Sequence, residues 1–153
     1  MFRIMLAAAA ALTIALPAAA QDAGALVGDP WQCRSTSLIG DPPSNIVLAF
    51  GDDDDLMVSF SMEMPVDNGT VGVEFDLAGE WRLDGSTIQM EASDFTMIGA
   101  WFNGEAMSDE DTDAIADGLE TEFSDFSAES DIAYVAAHAL VLDEPETSIS
   151  CWR

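Results

Sequence analysis

Apolar and polar residues alternate along three successive stretches in the middle of the chain. Apolar side chains recur at every second position in LMVSFSMEM (56–64), TVGVEFDLAGEW (70–81) and STIQMEAS (86–93). Successive side chains of a β-strand point to opposite faces, so this pattern predicts strands with one buried face. The apolar run NIVLAF (45–50) and the mixed segment WQCRSTS (31–37) predict two further strands.

Residues typical of turns separate these predicted strands. Asn68-Gly69 and Asp84-Gly85 are pairs that reach positive φ cheaply in tight hairpins, and the stretch FGDDDDL (50–56) lies at a third reversal. Consecutive strands joined by short turns favour a mainly β fold. We predict an antiparallel meander that forms a small barrel or a curved sheet.

The period changes in MSDEDTDAIADGLETEFSDF (107–126), where the apolar residues recur at helical spacing on one face: Ile115, Leu119, Phe123 and Phe126. Ser108 is a good N-cap, and Asp111 can complete a capping box with it. We therefore predict one amphipathic α-helix inserted before the C-terminal strands. The chain from Ala133 onward is predicted to be a strand, with a helical first turn left open.

The N-terminal segment MFRIMLAAAAALTIALPAAA (1–20) has one basic residue, then an apolar run, then three alanines. This order is that of a secretory signal peptide, and its apolar part is too short to span a bilayer as a helix. We expect residues 21–153 to remain as a single disulfide-closed β-rich domain. The residue directly after the predicted cleavage site is Gln21 and not a cysteine, so we expect no lipoprotein anchor and a soluble protein that is periplasmic or secreted.

The two cysteines, Cys33 and Cys151, lie near the two ends of the predicted mature chain. Export would place them in an oxidising compartment, where an even number of cysteines indicates a bridge. A redox-active pair is more often a close C-x-x-C. We therefore predict a structural disulfide, which requires the first and last elements to be neighbours.

The charge is strongly negative: 29 acidic residues stand against four arginines, there is no lysine, and the net charge is -25. Binding to nucleic acid phosphates needs Lys or Arg, so nucleic-acid binding is excluded. Two interpretations of the acidity stay open. One is solubility and tolerance of salt, and the other is a cationic partner such as a basic protein.

Two metal sites are conceivable from the residue types. Calcium prefers carboxylate oxygens in loops, and four consecutive carboxylates are present at Asp52, Asp53, Asp54 and Asp55. Adjacent residues of an extended chain diverge, so a charged hairpin tip is the favoured interpretation and a low-affinity divalent site the alternative. Met62 and Met64 with His138 suggest Cu(I), but both methionines fall on the apolar face and are better explained as core.

Catalytic chemistry has few candidate groups. The chain contains one histidine and no lysine, which leaves most acid–base and nucleophilic machinery without its residues. His138 stands among Ala and Leu residues, which favours a buried or rim position over the role of a general base. We predict that the protein is not an enzyme and needs no cofactor.

The segments GDPWQC (28–33) and GEWRLDGSTIQM (79–90) resemble the small lipocalin-like, or calycin-like, domains of exported bacterial proteins. The first departs from the Gly-x-Trp pattern by one inserted residue, and the inserted helix is a further departure. The likeness covers residues 28–92. It implies a barrel that can hold an apolar ligand or meet a partner.

We predict that a ligand cavity, if present, is walled by six residues; the alternative is that these side chains only fill a small barrel. The six are Phe60, Phe75, Trp81, Met90, Phe95 and Trp101. The sequence favours a non-catalytic, monomeric binding or interaction module. The alternatives are a carrier of a small apolar ligand and low-affinity binding of divalent cations at the acidic loops.

Overall fold

The computed structural model describes residues 23–37, 45–145 and 147–153. The predicted signal peptide lies outside these residues. The elements within them are a 3-10 helix (Ala23–Ala25), β1 (Trp31–Ser37), β2 (Asn45–Phe50), β3 (Asp55–Val66), β4 (Gly69–Asp84), β5 (Thr87–Phe102), β6 (Glu105–Ala106), α1 (Asp109–Phe123), β7 (Phe126–Ala136), β8 (Ala139–Glu144) and β9 (Thr147–Trp152).

Eight of these strands form a closed antiparallel barrel. Each strand pairs with its neighbours in the order β1-β2-β3-β4-β5-β7-β8-β9, and β9 pairs back with β1. The two-residue strand β6 pairs with the last two residues of β5, Trp101 and Phe102. The predicted mainly β fold with an antiparallel meander is confirmed, and the open choice between barrel and curved sheet is resolved as a barrel.

The hairpin turns lie one residue away from the predicted pairs. The loop between β3 and β4 is Asp67-Asn68, and that between β4 and β5 is Gly85-Ser86. Gly85 has a φ of 65°, a conformation that glycine adopts without the steric penalty of a Cβ. Gly69 and Gly85 have the positive φ values expected of these turns, whereas Asn68 and Asp84 do not. The pairing register is set by the buried faces of the flanking strands.

The disulfide closes the seam between the first and last strands. Cys33 and Cys151 stand directly opposite each other in β1 and β9, with an S–S distance of 2.10 Å and a Cα–Cα distance of 4.0 Å. Both residues are buried. The predicted disulfide is confirmed, and it links two strands that are also joined by backbone hydrogen bonds.

The helix α1 begins as predicted but ends earlier. The side chain of Ser108 accepts a hydrogen bond from the backbone N–H of Asp111 at 3.2 Å, and its hydroxyl donates to Oδ2 of Asp111 at 2.6 Å. The helix ends at Phe123, so the prediction of a helix through Phe126 was wrong: Phe126 is the first residue of β7. The cause is that pairing with β5 extends the backbone from this residue onward.

We call the end of the barrel that carries residues 23–30 the base, and the opposite end, next to α1, the helix end. At the base the Trp31 side chain is 0% exposed, and its Nε1 donates to the carbonyl oxygen of Leu26 at 2.9 Å. The guanidinium of Arg153 stacks on Trp31, with Cζ 4.0 Å from the ring centroid. The Arg153 guanidinium and the Trp31 indole therefore pack together at the base of the barrel.

Candidate functional site

A cavity of about 270 Å³ lies inside the barrel toward the helix end. Inward-facing positions of seven strands supply its lining, because alternate residues of each strand face the interior. The lining residues are Ser35, Ile46, Leu48, Val58, Phe60, Met62, Met90, Phe126, Ala128, Glu144, Thr147 and Ile149.

Two of the six predicted wall residues, Phe60 and Met90, line this cavity. Phe75 is fully buried beside it, and its ring stacks on Phe60 with a centroid distance of 5.0 Å. Phe95 packs on the far side of Phe75 at 5.3 Å. These residues therefore form one aromatic layer, of which only Phe60 contributes to the cavity wall.

Trp81 belongs to the base of the barrel. Its ring packs edge-on against Phe50 with a centroid distance of 5.0 Å. Its Nε1 donates to the carbonyl oxygen of Gly51 at 3.2 Å. Trp81 thus anchors the loop between β2 and β3. It stands opposite Met90 in the sheet but is not among the residues that line the cavity, and its polar edge is satisfied within the fold.

The structure departs from the prediction at Trp101, which lies on the outer face of β5 opposite Gly72. Relative to β4, the strand β5 carries an extra residue at Ser93 and another at Ile98. Each bulge shifts the inside–outside alternation by one residue, so the second restores the original phase. Ala100 consequently faces the core and is buried, and Trp101 faces away from it.

The helix contributes an aromatic ring to the same layer. Phe123 lies 5.9 Å from Phe60, 5.1 Å from Phe75 and 6.3 Å from Phe126 between ring centroids. Phe126 lines the cavity directly. Sequence reasoning recognised both phenylalanines as apolar positions of a helix face, but helical spacing gives no information on which part of a barrel that face will cover.

One carboxylate interrupts the apolar lining. Glu144 follows Leu140 and Leu142 as the third inward position of β8, and both leucines are 0% exposed. Its Oε1 accepts a hydrogen bond from the hydroxyl of Ser130 at 2.8 Å, and Ser130 is 1% exposed. Sequence reasoning missed this pair, although the alternation along ALVLDE (139–144) carries the signal that places Glu144 inside.

The four consecutive aspartates lie in and beside the loop between β2 and β3, at the base, and all are exposed: Asp52, Asp53, Asp54 and Asp55. Their backbone is tied to the barrel. The Gly51 N–H donates to the carbonyl oxygen of Asp55 at 2.8 Å, and the Trp81 N–H donates to that of Asp54 at 2.8 Å. Within residues 23–37, 45–145 and 147–153, no three or more His, Cys, Asp or Glu side chains come together in a group able to hold a metal ion.

The residues considered for copper are separated in the structure. Met62 lines the cavity at the helix end, and Met64 lies farther along β3, where it is 36% exposed. His138 is in the turn between β7 and β8 at the base, with Nδ1 at 3.1 Å from the carbonyl oxygen of Arg153. The three side chains therefore lie at opposite ends of the barrel and do not form one site.

No protein-family model matches this chain, and no curated protein matches it. In the part of the chain that the structure describes, none of the helices has both the length and the apolar character needed to cross a membrane. The closed eight-stranded barrel is consistent with the lipocalin-like resemblance of residues 28–92, at the level of the fold.

Proposed function

We propose that this protein is an exported, non-catalytic binding protein that holds a small apolar ligand inside its barrel. The observation that carries the proposal is the cavity of about 270 Å³. The cavity is partly open to solvent and most of its lining is apolar, so a ligand that covers this lining removes apolar surface from water. A barrel that leaves this much room among Leu, Ile, Val, Phe and Met side chains is suited to a guest of similar chemistry.

The size of the cavity limits the ligand. Pockets for drug-sized molecules have volumes of about 300–1,000 Å³, and this cavity of about 270 Å³ is slightly smaller. A short acyl or alkyl chain, or one or two small rings, matches this space. Burial of such a ligand contributes about 25 cal/mol for each Å² of apolar surface removed from water.

The proposal is tested by displacement of a fluorescent apolar probe. The mature chain is titrated with N-phenylnaphthylamine, and octanol is then added as the competitor. We expect one saturable site that octanol empties. Ala128→Phe adds a ring to the cavity wall and should abolish probe binding. Ala106→Phe adds the same ring at an exposed position of β6 and should leave binding unchanged.

Native mass spectrometry of the protein purified from its natural source supplies an independent result. The proposal is supported if one apolar molecule is bound per wild-type chain and none is bound to the Ala128→Phe variant. A chain without a bound molecule, combined with no saturable probe signal in the titration, contradicts it. Circular dichroism of both variants verifies that the barrel is retained.

The disulfide supports the exported location within this proposal. Disulfides form and persist in oxidising compartments and are rare in the cytosol. Cys33 and Cys151 are joined and buried. Export is tested by fractionation of the natural host and N-terminal sequencing of the mature chain, for which we expect a start within a residue or two of Gln21.

A second candidate function is the binding of a basic protein to the acidic outer surface. Outward carboxylates of β7 and β8 stand side by side: Asp131 pairs with Asp143 in register, and Glu129 lies next to them on the same face. A basic partner would bind at low salt and dissociate as ionic strength rises. If the immobilised chain captures no basic protein from its own compartment at low salt, this candidate fails.

The low-affinity divalent site at the aspartate loop is tested by thermal melting with calcium, because a ligand of the folded state raises the unfolding midpoint. The paired substitutions Asp52→Asn and Asp54→Asn remove two charges from the exposed loop. Since no three carboxylates of the described residues come together in a group able to hold a metal ion, we expect the same calcium response in this variant and in the wild type. A calcium shift that disappears in the variant would establish the site.

A further inference from the structure

The geometry points to an apolar ligand that carries a protonated amine, with the amine held by Glu144. This inference rests on the proposed function, since it concerns the same cavity. The cavity lining contains hydrocarbon and aromatic side chains, two hydroxyls and one carboxylate. A neutral or anionic guest would leave that carboxylate without a complementary charge.

The carboxylate of Glu144 has capacity to accept further hydrogen bonds. A carboxylate offers about four acceptor positions on its two oxygens. Among the described residues, the hydroxyl of Ser130 is its one hydrogen-bond partner, at 2.8 Å on Oε1. Ser130 is itself 1% exposed, so this bond is built into the interior and fixes the orientation of the carboxylate. An ammonium group could donate to the remaining acceptor positions.

The residues that the structure describes supply no cation to this carboxylate. Of the four arginines, Arg3 lies in the predicted signal peptide and Arg34 is exposed on β1. Arg82 pairs with Glu91 on the outer face at 3.3 Å. Arg153 lies at the base. The residues outside the described ranges after position 22 contain no Lys, Arg or His. Glu144 is half-buried, and a bound ligand with a positive charge would supply the complement that the described residues lack.

Two further features favour a cationic guest. Phe60 and Phe126 line the cavity, and aromatic faces attract ammonium groups through their ring quadrupole. The net charge of -25 raises the local concentration of cations around the protein and lowers that of fatty acid anions. The cavity lining therefore suits an alkyl chain or small ring against Ile46, Leu48 and Val58, with its amine at Glu144.

The test compares three probes with the same alkyl chain and different head groups: octylamine, octanol and octanoate. Each probe is added as a competitor of N-phenylnaphthylamine for the mature chain, at neutral pH in 0.15 M salt, about the physiological ionic strength. A hydrogen-bonded charge pair in a partly dry site is worth enough to separate ligands by on the order of 10- to 100-fold. We expect octylamine to bind most tightly and octanoate least.

Two variants separate the role of Glu144 from the general attraction of an acidic protein for amines. Glu144→Gln keeps the size and the acceptor for Ser130 but removes the charge from the cavity. Glu129→Gln removes the same charge from the outer face of β7, where Glu129 accepts from Gln89 at 3.0 Å. We expect Glu144→Gln to bring octylamine close to octanol in affinity, and Glu129→Gln to leave the preference as it is in the wild type.

The possible outcomes distinguish this inference from the proposed function. If none of the three probes displaces N-phenylnaphthylamine, the proposed function itself fails. If octanol binds but octylamine has no advantage, or if Glu144→Gln leaves the octylamine advantage intact, the cavity binds apolar ligands and the amine inference is overturned. Urea unfolding of Glu144→Gln verifies that a lost preference does not reflect an unfolded barrel.

Discussion

Removal of the Arg153 guanidinium is expected to open the base of the barrel. Each of its three nitrogens donates one hydrogen bond of 3.1 Å to a backbone carbonyl oxygen. The acceptors are the carbonyl oxygens of Ala25, Val27 and Ala137. Two longer contacts reach the carbonyl oxygens of Leu26 and Asp29, at 3.4 and 3.3 Å. Arg153→Met keeps an apolar stem of similar length against Trp31 and removes the donors.

The magnitude follows from these contacts. A net contribution of about 1 kcal/mol for each of the three shorter hydrogen bonds gives about 3 kcal/mol, and the two longer ones are left out. The cation–π contact with Trp31 adds about 1 kcal/mol. Water can reach some of the freed carbonyls, so we expect Arg153→Met to lower the free energy of unfolding by about 3–4 kcal/mol. Arg153→Lys retains the charge but lacks the planar fork, and about 2 kcal/mol should be lost.

Urea unfolding followed by circular dichroism measures these differences from the transition midpoint and slope. Arg34→Met is the matched control, because Arg34 is exposed on β1 and its replacement changes the net charge by the same amount as Arg153→Met. Surface substitutions of this kind usually change stability by less than about 0.5 kcal/mol. If Arg153→Met is no more destabilising than Arg34→Met, the base is not held by the arginine and the reasoning is refuted.

Three further variants test the disulfide, a close contact between strands and the helix. Replacement of Cys33 and Cys151 by alanine opens a loop with a sequence separation of 118 residues and should lower the free energy of unfolding by about 4–5 kcal/mol; urea unfolding that matches the wild type would contradict this. Gly79→Ala would place a Cβ against the backbone of Glu91 and should cost about 2–3 kcal/mol in the same assay. Gly118→Ala, in open space on α1, should instead raise the thermal midpoint, since alanine is favoured over glycine in helices by about 1 kcal/mol.

Much of the fold could be predicted from local sequence patterns. Strands β3, β4 and β5 lie where period-two alternation placed them, because a sheet with one buried face needs apolar residues at every second position. The helix start at Ser108 was also predictable, since its capping hydrogen bonds involve residues only three positions apart. The end of the helix was not, because the pairing of Phe126 with Ala92 depends on a partner distant in sequence.

The candidate site was only partly predictable. Phe60 and Met90 were recognised because the alternation around each is regular. Trp101 faces outward, contrary to the prediction, because the bulge at Ile98 reverses the alternation that runs from Phe95, and this bulge leaves no clear mark in the composition of the strand. Glu144 was missed because an acidic residue next to a turn resembles many exposed ones, although the alternation of Leu140 and Leu142 along β8 indicates its inward side.

A β-rich chain with one acidic helix, the approximate positions of the turns, the strong negative charge and the two cysteines follow from the amino-acid sequence alone. These properties are local or additive, so they can be taken from composition and periodicity. The tertiary structure decided that β9 pairs with β1, that a cavity remains at the helix end, and that Glu144 faces it beside Ser130. Closure, bulges and void volume depend on how distant strands meet, and no single stretch of residues specifies that geometry.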